Sequence, residues 1–174
     1  MKPIIFLDID GVINPHRPIH TAPVDYELNK KLANQKNDPG FLKLNIYFTN
    51  QIYYGFDKTA CILIKKLIEE FDAKIVLTSS WRLLYSKKDL YYLFKILHME
   101  SAFMDITEDI IPRYKAIEDY IQKHKVTDYI VIDDADLGQH FGFHQIKTVN
   151  SFTLEDFIRA QNLLKLQKEK TAES

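Results

Sequence analysis

The chain has 174 residues, 46% of them hydrophobic and 13% aromatic, which suits one compact domain with a single sizeable core. Its formal charge of -1 supplies no global basic field to draw it onto nucleic acid or an acidic membrane, so an anionic ligand must be held by local groups. A single cysteine, Cys61, excludes an internal disulfide framework, no signal peptide is recognisable, and no apolar run reaches the roughly 20 residues that span a bilayer; a soluble, cytoplasmic protein is expected.

Residues 3–8 (PIIFLD) form a short, almost continuous apolar run, the pattern of a parallel strand covered on both faces. Residues 15–55 carry four prolines, a DPG turn at 38–40 and the aromatic-rich LNIYFTNQIYYGF, and read as an insertion rather than a regular crossover. Its aromatics at 47, 48, 53 and 54, with Phe56 just beyond, fit packing of the insertion better than stacking on a base. In 56–71, Phe56, Ala60, Ile64, Leu67, Ile68 and Phe71 share one helical face, and this helix leads into a second strand, KIVLT at 74–78. Ser86 with Asp89 forms a capping pair for a helix through about 98. PRYKAIEDYIQKH, 112–124, opens on a helix-compatible proline and precedes a third strand, YIVID at 129–133. IKTV, 146–149, predicts one further strand, and Thr153 with Asp156 caps a last helix, FIRAQNLLKL. The domain is expected over 1–163, with 164–174 a polar, frayed tail. Strands regularly separated by helices predict an α/β fold, a parallel sheet between helical layers.

Ligands of open parallel sheets gather beyond the carboxyl ends of the strands. The first strand delivers Asp8 and Asp10 there, the second Thr78, Ser79 and Ser80 followed by Trp81 and Arg82, and the third Asp133 and Asp134 with Asp136 close behind. Carboxylates at adjacent strand ends repel one another unless a cation offsets their charge, and an all-oxygen donor set favours magnesium. Hydroxyls and free amides at 78–80 can hold phosphate oxygens.

DIDGV at 8–12, VLTSSWR at 76–82, the basic pair in RYKAI at 113–117 and IVIDD at 130–134 resemble the four ordered motifs of the haloacid dehalogenase-like (HAD) phosphohydrolase superfamily. The likeness runs from residue 3 to about 160. The DGVIN start, the SSWR and the late FTLEDF are similar, more narrowly, to the small HAD domains associated with RNA-repair proteins. The resemblance implies a three-layer α/β/α Rossmann-like fold with the first strand central and the 15–55 insertion at the cap position. It implies a Mg2+-dependent phosphatase acting on a phosphomonoester. Asp8 would be the nucleophile that forms an aspartyl-phosphate, and Asp10 the general acid/base. Gly11 would let the backbone turn beside the phosphate, with Thr78 and the Ser79 amide as phosphate contacts. The metal would be held by Asp8, the Asp10 backbone carbonyl, Asp133 and Asp134, with either Asp133 or Asp134 the direct ligand and the other acting through water. Arg113, four residues before Ile117, or Lys115, two positions later, fills the third motif; the spacing favours Arg113. The insertion is too small for a large lid, so the site should admit a bulky substrate such as a nucleic-acid end, with nucleotides a close competitor.

Other residues have plainer readings. Trp81 is expected in the core and Arg82 in a surface pair; Cys61 should be packed and inert. His140 and His144 have helical metal spacing, but Gly138 and Gly142 around them predict a loop. His16, Arg17 and His20 follow the first motif and could touch substrate beyond its phosphate, against a surface-loop reading. The alternative function is a catalytically silent HAD-fold module for protein binding, against which the intact Asp8 and Asp10 argue.

Overall fold

The structure, a computed structural model, describes residues 2–16 and 23–172. In chain order the elements are β1 (Ile4–Leu7), α1 (Leu28–Lys36), α2 (Ile46–Asn50), α3 (Lys58–Phe71), β2 (Lys74–Leu77), α4 (Trp81–Leu84), α5 (Lys87–Ile96), β3 (Phe103–Ile106), α6 (Arg113–His124), β4 (Tyr129–Asp133), α7 (Gly138–Phe141), β5 (Gln145–Lys147) and α8 (Leu154–Ala172). The five strands are all parallel, in the order β3-β2-β1-β4-β5, so β1 is central as the resemblance implies.

Side-chain alternation along the strands divides the interior in two. Ile5, Leu7, Ile75, Leu77, Ile130 and Ile132 face a larger core completed by α1, α2, α3, α5 and α8, whereas Ile4, Phe6, Val76 and Val131 face a smaller one closed by α6 and α7. In the smaller core Phe6 meets Tyr120 and Tyr129 edge to face, with ring centroids 5.7 and 5.9 Å apart. Three layers follow directly from strands that are apolar on both faces.

Local chemistry fixes the helix ends. The Asp57 carboxylate accepts from the Thr59 and Ala60 N–H groups at the start of α3, and Asp72 closes that helix in a left-handed conformation. Ser86 and Asp89 form a reciprocal capping box on α5, and Thr153 and Asp156 exchange the same pair of bonds ahead of α8.

Four features depart from the sequence reading, the first being the 138–144 stretch, which the sequence predicts as a loop and which instead forms α7 with His140 in it and a 3-10 turn from Gly142 to His144. The edge strand β3 was not predicted: Met104 is exposed and Asp105 sits mid-strand, so no continuous apolar run marks it. The 15–55 stretch contains α1 and α2, and Phe41, Phe48 and Ile52 pack into the larger core, while Tyr47, Tyr53 and Tyr54 are exposed. Its return is tied to its departure by the Asp57 N–H on the Ile13 carbonyl, 2.8 Å. The tail does not fray at 164: α8 continues to Ala172, and Leu164 is buried against the larger core. Among the described residues no helix is long and apolar enough to cross a membrane.

Candidate active site

Asp8 directly follows β1. Its N–H donates to the Ile132 carbonyl (3.0 Å), which holds it at the carboxyl edge of the sheet, and it is 2% exposed. The chain then turns sharply: the N–H groups of Ile13 and Asn14 both donate to the Ile9 carbonyl, and the Gly11 N–H donates to the Asn14 carbonyl, 2.8 Å. Gly11 has φ +73°, and a Cβ there would lie 2.4 Å from Asp134 Oδ2. Glycine is therefore required twice, by the backbone and by the carboxylate pressed against it. The predicted turn is present, and the Asp134 side chain is what crowds it.

β4 ends on Asp133, fully buried, and Asp134 follows, partly buried. Asp8, Asp133 and Asp134 each present a carboxylate oxygen, all within 4.8 Å of one another. Arg113, the first residue of α6, reaches across: its Nη1 donates to Asp8 Oδ2 at 2.5 Å and to Asp133 Oδ2 at 2.7 Å. Burial, reinforced by the neighbouring Asp8 charge, pushes the Asp133 carboxyl up to about 6 although Arg113 opposes the shift. Burial also works against the Arg113 charge, but Asp8 and Asp133 outweigh it and hold the guanidinium above its ordinary value. Lys115 is exposed and makes no ion pair among the described residues. The structure thus brings Arg113, and not Lys115, to the carboxylates.

The Asp10 carboxylate is kept out of this trio. Asn14 Nδ2 donates to its Oδ1 (2.6 Å) and Trp81 Nε1 to its Oδ2 (2.9 Å). Trp81 does lie in the core, packed among Phe48, Phe56 and Tyr85, but it also has this polar contact, which the sequence reading missed. Asn14, four residues after Asp10 in the same turn, was missed as well.

Thr78 and Ser79 are fully buried where β2 ends, and the Thr78 N–H donates to the Leu7 carbonyl, 2.9 Å. Thr78 Oγ1 has no hydrogen-bond partner among the described residues, a condition buried hydroxyls rarely tolerate unless a ligand satisfies them. Arg82 is half-buried and shapes this turn from behind: its Nη1 donates to the Thr78 and Ser79 carbonyls and its Nη2 to that of Glu108 (3.4 Å).

His16 Nε2 lies 2.9 Å from Asp134 Oδ2, a hydrogen bond that raises the imidazole pKa. Arg17 and His20 lie outside the described residues. His140 stacks on Tyr114 and His144 stacks on Tyr129, so neither histidine joins the carboxylates. Cys61 is buried, and burial pushes its thiol up to about 12, which leaves it inert.

Three converging carboxylates, with no thiolate or imidazole among them, are a hard oxygen donor set that fits magnesium. A parallel α/β sheet with the first strand central, this acidic cluster at its carboxyl edge and an arginine bridging two of the acids agree with the haloacid dehalogenase-like resemblance of the sequence motifs. The family described as the HAD domain in Swiss Army Knife RNA repair proteins matches residues 4–157, and the chain belongs to it. Among solved structures, the hydrolase of the haloacid dehalogenase-like family from Streptococcus pneumoniae is similar at 15% identity and a TM-score of 0.46, over 91% of this chain and 90% of that one. No curated protein matches the chain.

Proposed function

We propose that the chain is a magnesium-dependent phosphatase that hydrolyses a phosphomonoester through an aspartyl-phosphate on Asp8. The observation that carries this reading is the convergence of Asp8, Asp133 and Asp134 within 4.8 Å, with Arg113 bonded to two of them. The Ile9 N–H on Asp8 Oδ1 and Arg113 on Asp8 Oδ2 fix the direction of the nucleophile. Asp8 attacks phosphorus, the bond to the leaving oxygen breaks, and Asp10 gives that oxygen its proton. Asp10 then takes a proton from the water that attacks the aspartyl-phosphate, which releases inorganic phosphate and restores Asp8.

Thr78 Oγ1 and the Ser79 amide hold the phosphate oxygens, and Arg113 balances the charge that accumulates there. Asp8, Asp133, Asp134 and the Asp10 backbone carbonyl would hold magnesium, which when bound supplies positive charge to the phosphate oxygens. The family's association with RNA repair supports a phosphorylated nucleic-acid end or nucleotide as substrate.

The test is hydrolysis by the purified chain with magnesium of mononucleotides, terminally phosphorylated oligonucleotides, phosphosugars, phosphopeptides and a generic aryl phosphate. Turnover of at least one class, abolished by Asp8→Asn, is expected. No turnover of any would replace this reading with a silent binding module, and undiminished turnover by Asp8→Asn would remove Asp8 as the nucleophile.

A further inference from the structure

The Asp10 carboxylate is gripped at both oxygens by donors from different parts of the chain. On one side is the indole N–H of Trp81 at 2.9 Å, 71 residues away; on the other is the amide of Asn14 at 2.6 Å. Trp81 is 4% exposed, and its ring is locked among Phe48, Phe56 and Tyr85 with centroids 5.3 to 6.1 Å away, so the direction of its N–H is set by packing. An indole nitrogen can only donate, and a buried one needs an acceptor.

We infer that Trp81 and Asn14 are positioning residues for Asp10: they hold its carboxylate apart from the Asp8, Asp133 and Asp134 cluster and aim it for proton transfer. This rests on the reading of Asp10 as the acid/base. Each carboxylate oxygen has two lone pairs and each bond uses one, so the remaining lone pairs stay able to take a proton from water or carry one to the leaving oxygen. An Asp10 released from the grip would be free to turn toward Arg113 or toward solvent, where it would transfer protons less often. The aromatic box around Trp81 is thereby given a purpose beyond filling volume: it converts core rigidity into the orientation of one reacting group.

The deciding measurement is magnesium-dependent hydrolysis of 4-nitrophenyl phosphate, whose leaving group departs without needing a proton, so that rates remain readable in Asp10 variants. Trp81→Phe keeps a ring in the box and deletes the N–H. It should lower kcat about tenfold with KM unchanged within about twofold. In an Asp10→Ala background the same substitution should change the residual rate by less than about twofold, because nothing is left to position. Asn14→Ala, a change in a partly exposed turn, should show the same dependence on Asp10 and serves where the core variant folds poorly. Equal losses with and without Asp10, or no loss from either variant in the intact protein, would overturn the positioning role while leaving the phosphatase reading in place. A normal kcat for Asp10→Ala alone, on 4-nitrophenyl phosphate and also on an alkyl phosphomonoester whose leaving oxygen needs a proton, would instead remove the acid/base reading, and the inference with it.

Discussion

Replacing Arg113 tests the charge balance of the site most directly. One guanidinium nitrogen, Nη1, serves two carboxylates at 2.5 and 2.7 Å, and those carboxylates are 3% and 0% exposed at their side chains, so water can do little to compensate for its loss. A charge-assisted contact in such surroundings contributes about 2 to 4 kcal/mol to the transition state, which predicts a drop in kcat/KM of about thirty- to a thousandfold for Arg113→Ala. Lys115→Ala removes an exposed charge two residues along the same helix, about 200° around it, and should change kcat/KM by less than about threefold. Arg113→Lys keeps the charge but not the fork, and should fall between the two. The assay is steady-state hydrolysis of a single aryl phosphate with saturating magnesium, each variant first checked by thermal unfolding. A crippled Lys115→Ala beside a nearly normal Arg113→Ala would refute the reasoning and move the third motif by two residues.

In chelator, the raised Asp133 pKa makes stability fall as pH rises. The folded carboxyl titrates near 6 against 3.8 in the ordinary state, so the native protein binds more protons between those values, and stability present below pH 4 is lost as pH passes about 6. The loss should be about 1 to 3 kcal/mol in urea unfolding, and Asp133→Asn should flatten the curve. Gly11→Ala puts a side chain at φ +73° and a Cβ 2.4 Å from Asp134 Oδ2; it should cost about 1 to 3 kcal/mol in thermal unfolding and raise the magnesium needed for activity. Asp133→Ala and Asp134→Ala should both raise the half-saturating magnesium concentration in a titration of activity, the larger rise marking the direct ligand.

Much of the architecture was legible because the central strands are buried on both faces. Runs such as IIFL, KIVL and YIVID have no polar face to confuse them, and the cap pairs Ser86/Asp89 and Thr153/Asp156 are local signals written three residues apart. β3 was illegible for the opposite reason: an edge strand with Asp105 paired to Lys87 reads as loop. α1 was hidden because LNKKLANQK buries only Leu28, Asn29, Leu32 and Ala33, too narrow an apolar stripe to stand out beside its lysines. Within the site, the oxygen-bearing strand ends were readable one by one. The hold of Trp81 on Asp10 was not, since a tryptophan in a sequence says that it will be buried, not where its one donor will point.

The bond between the Asp57 N–H and the Ile13 carbonyl makes the segment between them a closed loop whose two feet stand together beside the turn that holds Asp10. For such a loop the entropy of closure grows only with the logarithm of its length, so lengthening it by several residues costs a fraction of a kcal/mol, about 0.6 kcal/mol for a full doubling. Shortening it past Phe41, Phe48 or Ile52 strips side chains from the larger core and costs far more. Change in chain length is therefore tolerated in one direction: this segment can grow outward while Phe41, Phe48 and Ile52 stay in the larger core and the strands keep their geometry.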